Sequence, residues 1–345
     1  MKDELFEEYS KEKEPTKYYK TYAWKTAIGL QQVDGLEPSE YLIKTAEQSI
    51  NGDISFDDAH QLITSYYKEN KSHAERTEEA DKVSVRIAQI ISENSFVFSP
   101  IELITIHKRL FEGIYSHAGR IRDYNISKQE WVLDGDTVTY GNAYSLRETL
   151  DYDFNLEKNF NYTGLSTEDV IKHIARFISN LWQIHIFGEG NTRTTAVFLI
   201  KYLSKLGFNV TNDIFAENSW YFRNALVRAN YNNRAKNVTE TTYYLELFLR
   251  NLLLDEYNIL SNREMHIAYK EVEEQPEIIT DREKTIIDLI QANPQITLAE
   301  ISEKIDKSLR TVKNAMKTLQ EKGIVERVGG KKNGSWKIKK CINSL

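Results

Sequence analysis

The chain has 345 residues, of which 41% are hydrophobic and 28% charged, with a net charge of −6; at roughly 100–200 residues per domain this allows about two or three domains with ample cores. Fifteen glycines and five prolines exclude a collagen-like or Pro/Gly-rich disordered chain, and the lack of an apolar run of about 18 residues excludes a transmembrane helix and, with it, a membrane partner. The start, Met1-Lys2-Asp3-Glu4, lacks the basic-then-apolar order of a signal peptide, and the single Cys341 makes neither an internal disulfide nor a Cys-rich zinc site, so a cytoplasmic location is expected.

In chain order, residues 1–16 are charged and irregular. From Tyr18 to Gln32 the apolar positions Tyr22, Trp24, Ala27, Ile28 and Leu30 suit a helix stopped by Gly35 and Pro38. A second helix follows Pro38 and ends at Asn51-Gly52. Ser55, with Asp58 three positions on, forms a capping box for a third that carries Ala59, Leu62, Ile63 and Tyr66. These helices make one small unit, residues 1–78.

Residues 79–261 are mostly helical by period. One apolar stripe runs through Val83, Val85, Ile87, Ile90 and Ile91, and another follows Pro100. Ser166 and Asp169 cap a helix bearing Ile171, Ile174, Phe177, Ile178, Leu181 and Trp182. Within this region Asp134-Gly135 lies among alternating Val, Thr and Tyr, which predicts a short β-hairpin at about 126–141. A lone ribbon in a helical domain offers a docking edge. Residues 262–279, rich in Glu with Pro276, read as a linker.

Residues 280–345 read as a separate module. Thr280, Thr297 and Ser308 open three helices, and Ile324-Val325 and Trp336-Lys337-Ile338 are strands on either side of a basic turn. Three helices and a basic hairpin make a winged helix-turn-helix. From Lys307 onward there are eleven basic side chains against Glu321 and Glu326, a net +9 on an otherwise acidic chain, which points to a polyanionic partner for this part alone. Arg310, Lys313 and Asn314 on the third helix and Lys331 and Lys332 on the wing are the candidate duplex-DNA contacts, with Arg310 or Asn314 placed to read a base. Winged helices also dock proteins, so DNA is one of two partners left open.

The segment richest in chemistry is His185-Ile186-Phe187-Gly188-Glu189-Gly190-Asn191-Thr192-Arg193, set between two apolar helices. Its glycines let backbone N–H groups converge at the start of the second helix, an anion nest suited to phosphate. Arg193 in the first helical turn adds a forked cation. Glu189 is a hard oxygen ligand for Mg²⁺ shared with phosphates, and His185 is placed to take a proton from an attacking hydroxyl near neutral pH. Each residue has a structural role when taken singly; in this order they form a phosphoryl- or nucleotidyl-transfer kit.

This arrangement resembles the Fic family, whose motif runs His-x-Phe-x-(Asp/Glu)-Gly-Asn-(Gly/Lys)-Arg-x-x-Arg. The resemblance covers about residues 95–255. It implies a mainly α fold with a β-hairpin flap, in which Mg²⁺ and ATP serve transfer of AMP to a Ser, Thr or Tyr hydroxyl of a target protein. It places His185 as general base, Phe187 as core anchor and Glu189 as Mg²⁺ ligand. Gly190 and Asn191 fall at the anion hole and Arg193 at the first phosphate-binding arginine, and the nucleotide-binding set is Gly188, Glu189, Gly190, Asn191, Thr192, Arg193 and, from a weaker downstream match, Asn230. Ala118-Gly119-Arg120-Ile121-Arg122 looks like the stretch that precedes the target-docking flap, here about 125–140, with Ile126, Ser127 and Lys128 as docking residues.

Two positions depart from the motif: Thr192 replaces Gly, and Ala196 stands where the family has the second arginine, which holds the γ-phosphate and pairs with an inhibitory glutamate. The N-terminal unit resembles the small antitoxin that inhibits some Fic proteins. The stretch matching its inhibitory Ser/Thr-x-x-x-Glu-Gly is Leu30-Gln31-Gln32-Val33-Asp34-Gly35, with Asp34 as the inhibitory acid. Both ends of the inhibitory ion pair are thus altered, and a weakened autoinhibition in which Asp34 crowds the γ-phosphate site is expected. The leading reading is a protein adenylyltransferase. Its alternatives are a DNA-binding regulator whose core senses nucleotide and a transferase using another phosphate-containing donor; a homodimer is one oligomeric state left open.

Overall fold

The computed structural model describes residues 16–69, 75–269, 280–321, 324–329 and 334–339. These fall into two units that divide at Tyr269 and Lys270. The regular elements described in the first unit are helices joined by irregular loops, around one continuous apolar core.

Thr16 caps α1 (Lys17–Gly29) through its side chain, and a 3₁₀ turn, Leu30–Asp34, continues it to Gly35 in the left-handed conformation. α1 carries Tyr22, Trp24 and Ala27 inward. Gly29 is required by close packing: a Cβ there would lie 2.2 Å from the Ala216 carbonyl oxygen. α2 (Glu40–Asn51) starts at the Ser39 cap and ends at Gly52, and α3 (Phe56–Glu69) opens with the expected Ser55–Asp58 capping box. α4 (Glu75–Ser92) buries Val83, Val85, Ile87, Ile90 and Ile91 against α1. The N-terminal helices therefore share their core with the rest of the unit.

Next come α5 (Pro100–Phe111), α6 (Leu146–Lys158), α7 (Thr167–Ile184), α8 (Asn191–Lys205), α9 (Ile214–Ala229) and α10 (Tyr243–Leu254). α8 is buried from Asn191 to Leu203, the pattern of a central helix wrapped by its neighbours. It thereby fixes the loop that precedes it.

The expected β-hairpin at 126–141 is not a ladder. Glu130 N–H donates to the Asp136 carbonyl at 2.9 Å, but residues 131–133 form a 3₁₀ turn and no strand is assigned there. The reason is burial: Val132 and Leu133 dock fully into the core, and the Val132 carbonyl accepts from Ile267 N–H. Asp134 and Gly135 do take the positive φ that their sequence signals, so the reversal is present without strands. The expected linker start at 262 also moves. Ser261 caps a short helix, α11 (Asn262–Met265), and Met265 is buried in the core of the first unit; residues 270–279 lie outside the described set.

In the second unit α12 (Asp281–Ala292), α13 (Leu298–Lys304) and α14 (Leu309–Glu321) precede β1 (Val325–Val328) and β2 (Ser335–Ile338), which pair antiparallel with Val325 opposite Ile338. Capping boxes at Thr280–Glu283 and Thr297–Glu300 start the first two helices. Ile286, Ile290, Ile301, Val312, Met316, Leu319 and Trp336 form the core, and the Trp336 indole N–H donates to the Ile296 carbonyl. This is a winged helix-turn-helix. Among the described residues no helix is long and apolar enough to cross a membrane.

Candidate active site

The loop from His185 to Gly190 joins α7 to α8, and Asn191, His107, Gly190 and Thr192 shape it. Asn191 closes it upon itself, accepting from Phe187 N–H at 3.0 Å and donating to the Phe187 carbonyl at 2.8 Å. His107 on α5 stacks on Phe187 with ring centroids 3.6 Å apart. Its Nδ1 accepts from Gly119 N–H, so Nε2 carries the proton and donates to the Glu189 carbonyl at 3.0 Å. Burial keeps this imidazole neutral, lowering its pKa to about 4. Gly190 turns the chain into α8 at φ 75°, and a Cβ there would lie 2.4 Å from Phe111, so no other residue fits without displacing that ring. The N–H groups of Asn191, Thr192 and Arg193 have no intrahelical acceptor, as at any helix start, which leaves them for an anion. Thr192 adds a side-chain contact: its Oγ1 accepts from Trp182 Nε1 at 3.0 Å, which ties α8 to α7.

His185 ends α7 in the left-handed conformation, φ 50°. Arg122 holds it there, donating from Nε to the His185 carbonyl at 2.7 Å while its other nitrogens reach the carbonyls of Tyr124 and Gly141, at the two ends of the flap. The imidazole is buried beside Tyr140, 4.3 Å between ring centroids, and edge-on to Trp182. Tyr140 is itself fixed by donating to the fully buried Glu130, which pairs with Arg223 at 2.7 Å. His185 Nδ1 lies 3.3 Å from the Trp182 carbonyl, which only accepts, so Nδ1 carries the proton and Nε2 keeps its lone pair. Burial first, then the charge of Lys128, pushes its pKa well below the ordinary value. The result is a neutral imidazole with a free acceptor nitrogen.

The structure brings His185, Gly188, Glu189, Gly190, Asn191, Thr192 and Arg193 together on this loop and helix start. Glu189 offers a single carboxylate, 55% exposed, which pairs with Lys128 of the flap at 2.9 Å. Among the described residues no group of three or more His, Cys, Asp or Glu is gathered to hold a metal. A divalent ion at Glu189 therefore fits as one shared with phosphate oxygens, the ammonium of Lys128 already showing that the carboxylate accepts a cation. Of the other flap residues, Ile126 is half-buried and Ser127 exposed. Asn230 has its amide N–H₂ committed to the Ser179 and Leu226 carbonyls, where it closes the end of α9.

Arg193 is the largest departure from the sequence reading, in which both ends of the inhibitory ion pair were altered, to Asp34 and Ala196. The guanidinium is 1% exposed and ringed by acceptors, with Nη1 and Nη2 hydrogen-bonded and Nε ion-paired without a hydrogen bond. Asp34 Oδ2 is 2.9 Å from Nε, Gln31 Oε1 accepts from Nη1 at 3.0 Å, and Glu79 Oε1 accepts from Nη2 at 2.5 Å. Tyr115 lies 3.2 Å from Nη2, and the Phe111 ring packs 4.8 Å from the guanidinium carbon. Burial opposes the charge, but Asp34, Tyr115 and Glu79 more than offset it and the pKa is raised. Asp34 thus pairs with Arg193, while Ala196 is fully buried and has no group that could pair with it. Glu79 and Tyr115 carry no local sequence signal, because they reach Arg193 only through the packing of α4 and α5.

On the second unit Arg310, Lys313 and Asn314 are exposed near the start of α14, as the reading required. Lys331 and Lys332 lie outside the described residues.

Comparison with known proteins agrees with this geometry. Residues 97–203 match the Fic/DOC family model, and residues 279–326 match that of a winged helix-turn-helix DNA-binding domain. The matched stretch of the first unit contains α5, the flap, α7 and α8, which together supply every residue of the loop site.

Proposed function

From a chain that carries a Fic/DOC domain and a winged helix-turn-helix, we propose a protein adenylyltransferase that moves AMP from ATP to a Ser, Thr or Tyr hydroxyl of a target protein. The observation that carries this reading is the neutral, buried His185 with Nε2 free, set one loop away from an anion-ready helix start. His185 Nε2 takes the hydroxyl proton as the hydroxyl oxygen bonds to the α-phosphorus. The bond from that phosphorus to the β-phosphate oxygen breaks, and diphosphate leaves. The N–H groups at the start of α8 face the charge that develops on phosphate. Glu189 would hold a divalent cation, which neutralises phosphate charge when bound. The flap, with Ile126, Ser127 and Lys128, would align the target.

The clamp on Arg193 supports an autoinhibited resting state. Asp34, Gln31 and Glu79 surround the guanidinium that a phosphate would otherwise meet; movement of the 3₁₀ turn at Leu30–Asp34 would withdraw Asp34 and Gln31, while Glu79 on α4 would have to be displaced separately. The winged helix supports duplex DNA as a second partner through Arg310, Lys313 and Asn314.

The test is to incubate the protein with Mg²⁺, cell lysate and ATP labelled at the α-phosphate, beside His185→Ala. Protein labelling lost in His185→Ala supports AMP transfer. The same clamp also favours a second reading, a DNA-binding regulator whose core binds nucleotide without turnover. That reading predicts no labelling in either protein and a salt-sensitive DNA shift that responds to ATP.

A further inference from the structure

A nucleoside triphosphate brings several negative charges, and a helix start supplies only about half a positive one. A divalent cation offsets part of the remainder, and a cationic side chain can offset more. Three cations act on His185: Lys128, Arg122 and Arg223. Arg122 is buried, with all three nitrogens donating to carbonyls. Arg223 is tied to buried Glu130 and lies over the Trp220 ring. Arg193, in the first turn of α8, is held by Asp34, Gln31 and Glu79. Lys128 differs from these, because its ammonium rests on Glu189, a partner that is itself a candidate cation ligand.

The geometry points to Lys128 as the phosphate-binding cation of this site: a flap side chain that leaves Glu189 for the β- and γ-phosphate oxygens of a bound nucleoside di- or triphosphate. The inference rests on the nucleotide-transfer reading above and deepens it. The Lys128–Glu189 pair is part-exposed on both sides, 28% and 55%, so water screens it and little holds the ammonium in place. A divalent ion at Glu189 competes for the same carboxylate and favours the release. The backbone does not have to move, because Lys128 N–H is fixed to Thr137 Oγ1 at 3.2 Å, and the long stem swings from a held base. Lysine meets phosphate as a point charge without demanding a forked geometry, which suits a side chain on an irregular loop.

Calorimetric titration of the full chain with ATP, ADP and AMP in excess Mg²⁺ tests this, in Lys128→Ala and Lys128→Arg beside the wild type. The same three proteins are titrated in an Asp34→Ala background, with folding checked by circular dichroism. Lys128→Ala is expected to weaken ATP and ADP by about 10–100-fold, the range for losing a charge-assisted contact. AMP affinity should stay close to wild type, and Lys128→Arg should restore most of the loss. Unchanged or tighter ATP binding in Lys128→Ala overturns the inference, since Lys128 would then only shield Glu189. An equal loss for AMP and ADP overturns it too, by pointing to a damaged loop. A wild type and an Asp34→Ala protein that both ignore all three nucleotides refute the nucleotide-transfer reading itself, and this inference with it.

Discussion

Replacing Asp34 with alanine removes one arm of the clamp on Arg193 and separates two effects of opposite sign. Asp34 Oδ2 sits 2.9 Å from Nε of a guanidinium that is 1% exposed, while the Asp34 side chain is 35% exposed. A contact to a charged group contributes about 1.5–3 kcal/mol. Screening at the exposed carboxylate reduces that to about 1–2 kcal/mol. Asp34→Ala should therefore lower stability by about that amount, with Glu79 and Gln31 still holding the guanidinium. If phosphate and Asp34 compete for Nε, the same release strengthens ATP binding by about 5–30-fold. Urea unfolding reads the first effect and calorimetric titration with Mg²⁺ and ATP the second. Adding Glu79→Ala should raise ATP affinity again, since it leaves the Tyr115 hydroxyl as the remaining partner of Nη2. A folded Asp34→Ala protein with unchanged or weaker ATP affinity would refute the argument that the N-terminal turn occupies a phosphate site.

Other consequences can be checked separately. Burial lowers the His185 pKa, so the base form persists below the usual histidine range; transfer activity should stay level as pH falls through about 6.5 and decline only well below it, and a half-maximal point at the ordinary value would contradict this. His107 is depressed to about 4, so between about 6.5 and 4 the unfolded chain binds the extra proton and stability falls with falling pH; His107→Gln should flatten that part of the profile by up to about 3 kcal/mol, and an unaltered slope would sink the assignment. Gly190→Ala forces a Cβ against Phe111 at positive φ and should cost about 1–3 kcal/mol, partly recovered when Phe111→Leu is added. No recovery would mean that backbone conformation, rather than the ring, sets the cost.

Much of the frame was legible because it is local. Ser55 with Asp58 and Ser166 with Asp169 each place a side-chain oxygen where a helix start needs it, Thr280 and Thr297 signal helix starts of their own, and all four begin a helix in the structure. The loop from His185 to Arg193 was legible for a similar reason, since its chemistry lies within nine consecutive residues. What escaped is non-local. Arg193 meets Gln31, Asp34, Glu79 and Tyr115 across as many as 162 positions, and its local sequence carries no sign of them. Asp134-Gly135 correctly announced a reversal, but whether strands flank it depended on Val132 and Leu133 finding the core. Residues 262–269 resembled a linker by composition, yet burial of Met265 and the bond from Ile267 N–H to the Val132 carbonyl draw them into the first unit. His107 drew no notice in the sequence; stacking on Phe187 across the fold gives it its role.

The most direct test of the account uses the clamp-released protein. Asp34→Ala is incubated with Mg²⁺ and lysate in parallel reactions with ATP labelled at the α- or the γ-phosphate, beside Asp34→Ala combined with His185→Ala. Protein labelling from the α-position alone, stronger than in wild type and absent in the double variant, is the predicted result. Labelling from the γ-position, or α-labelling that survives loss of His185, would contradict it.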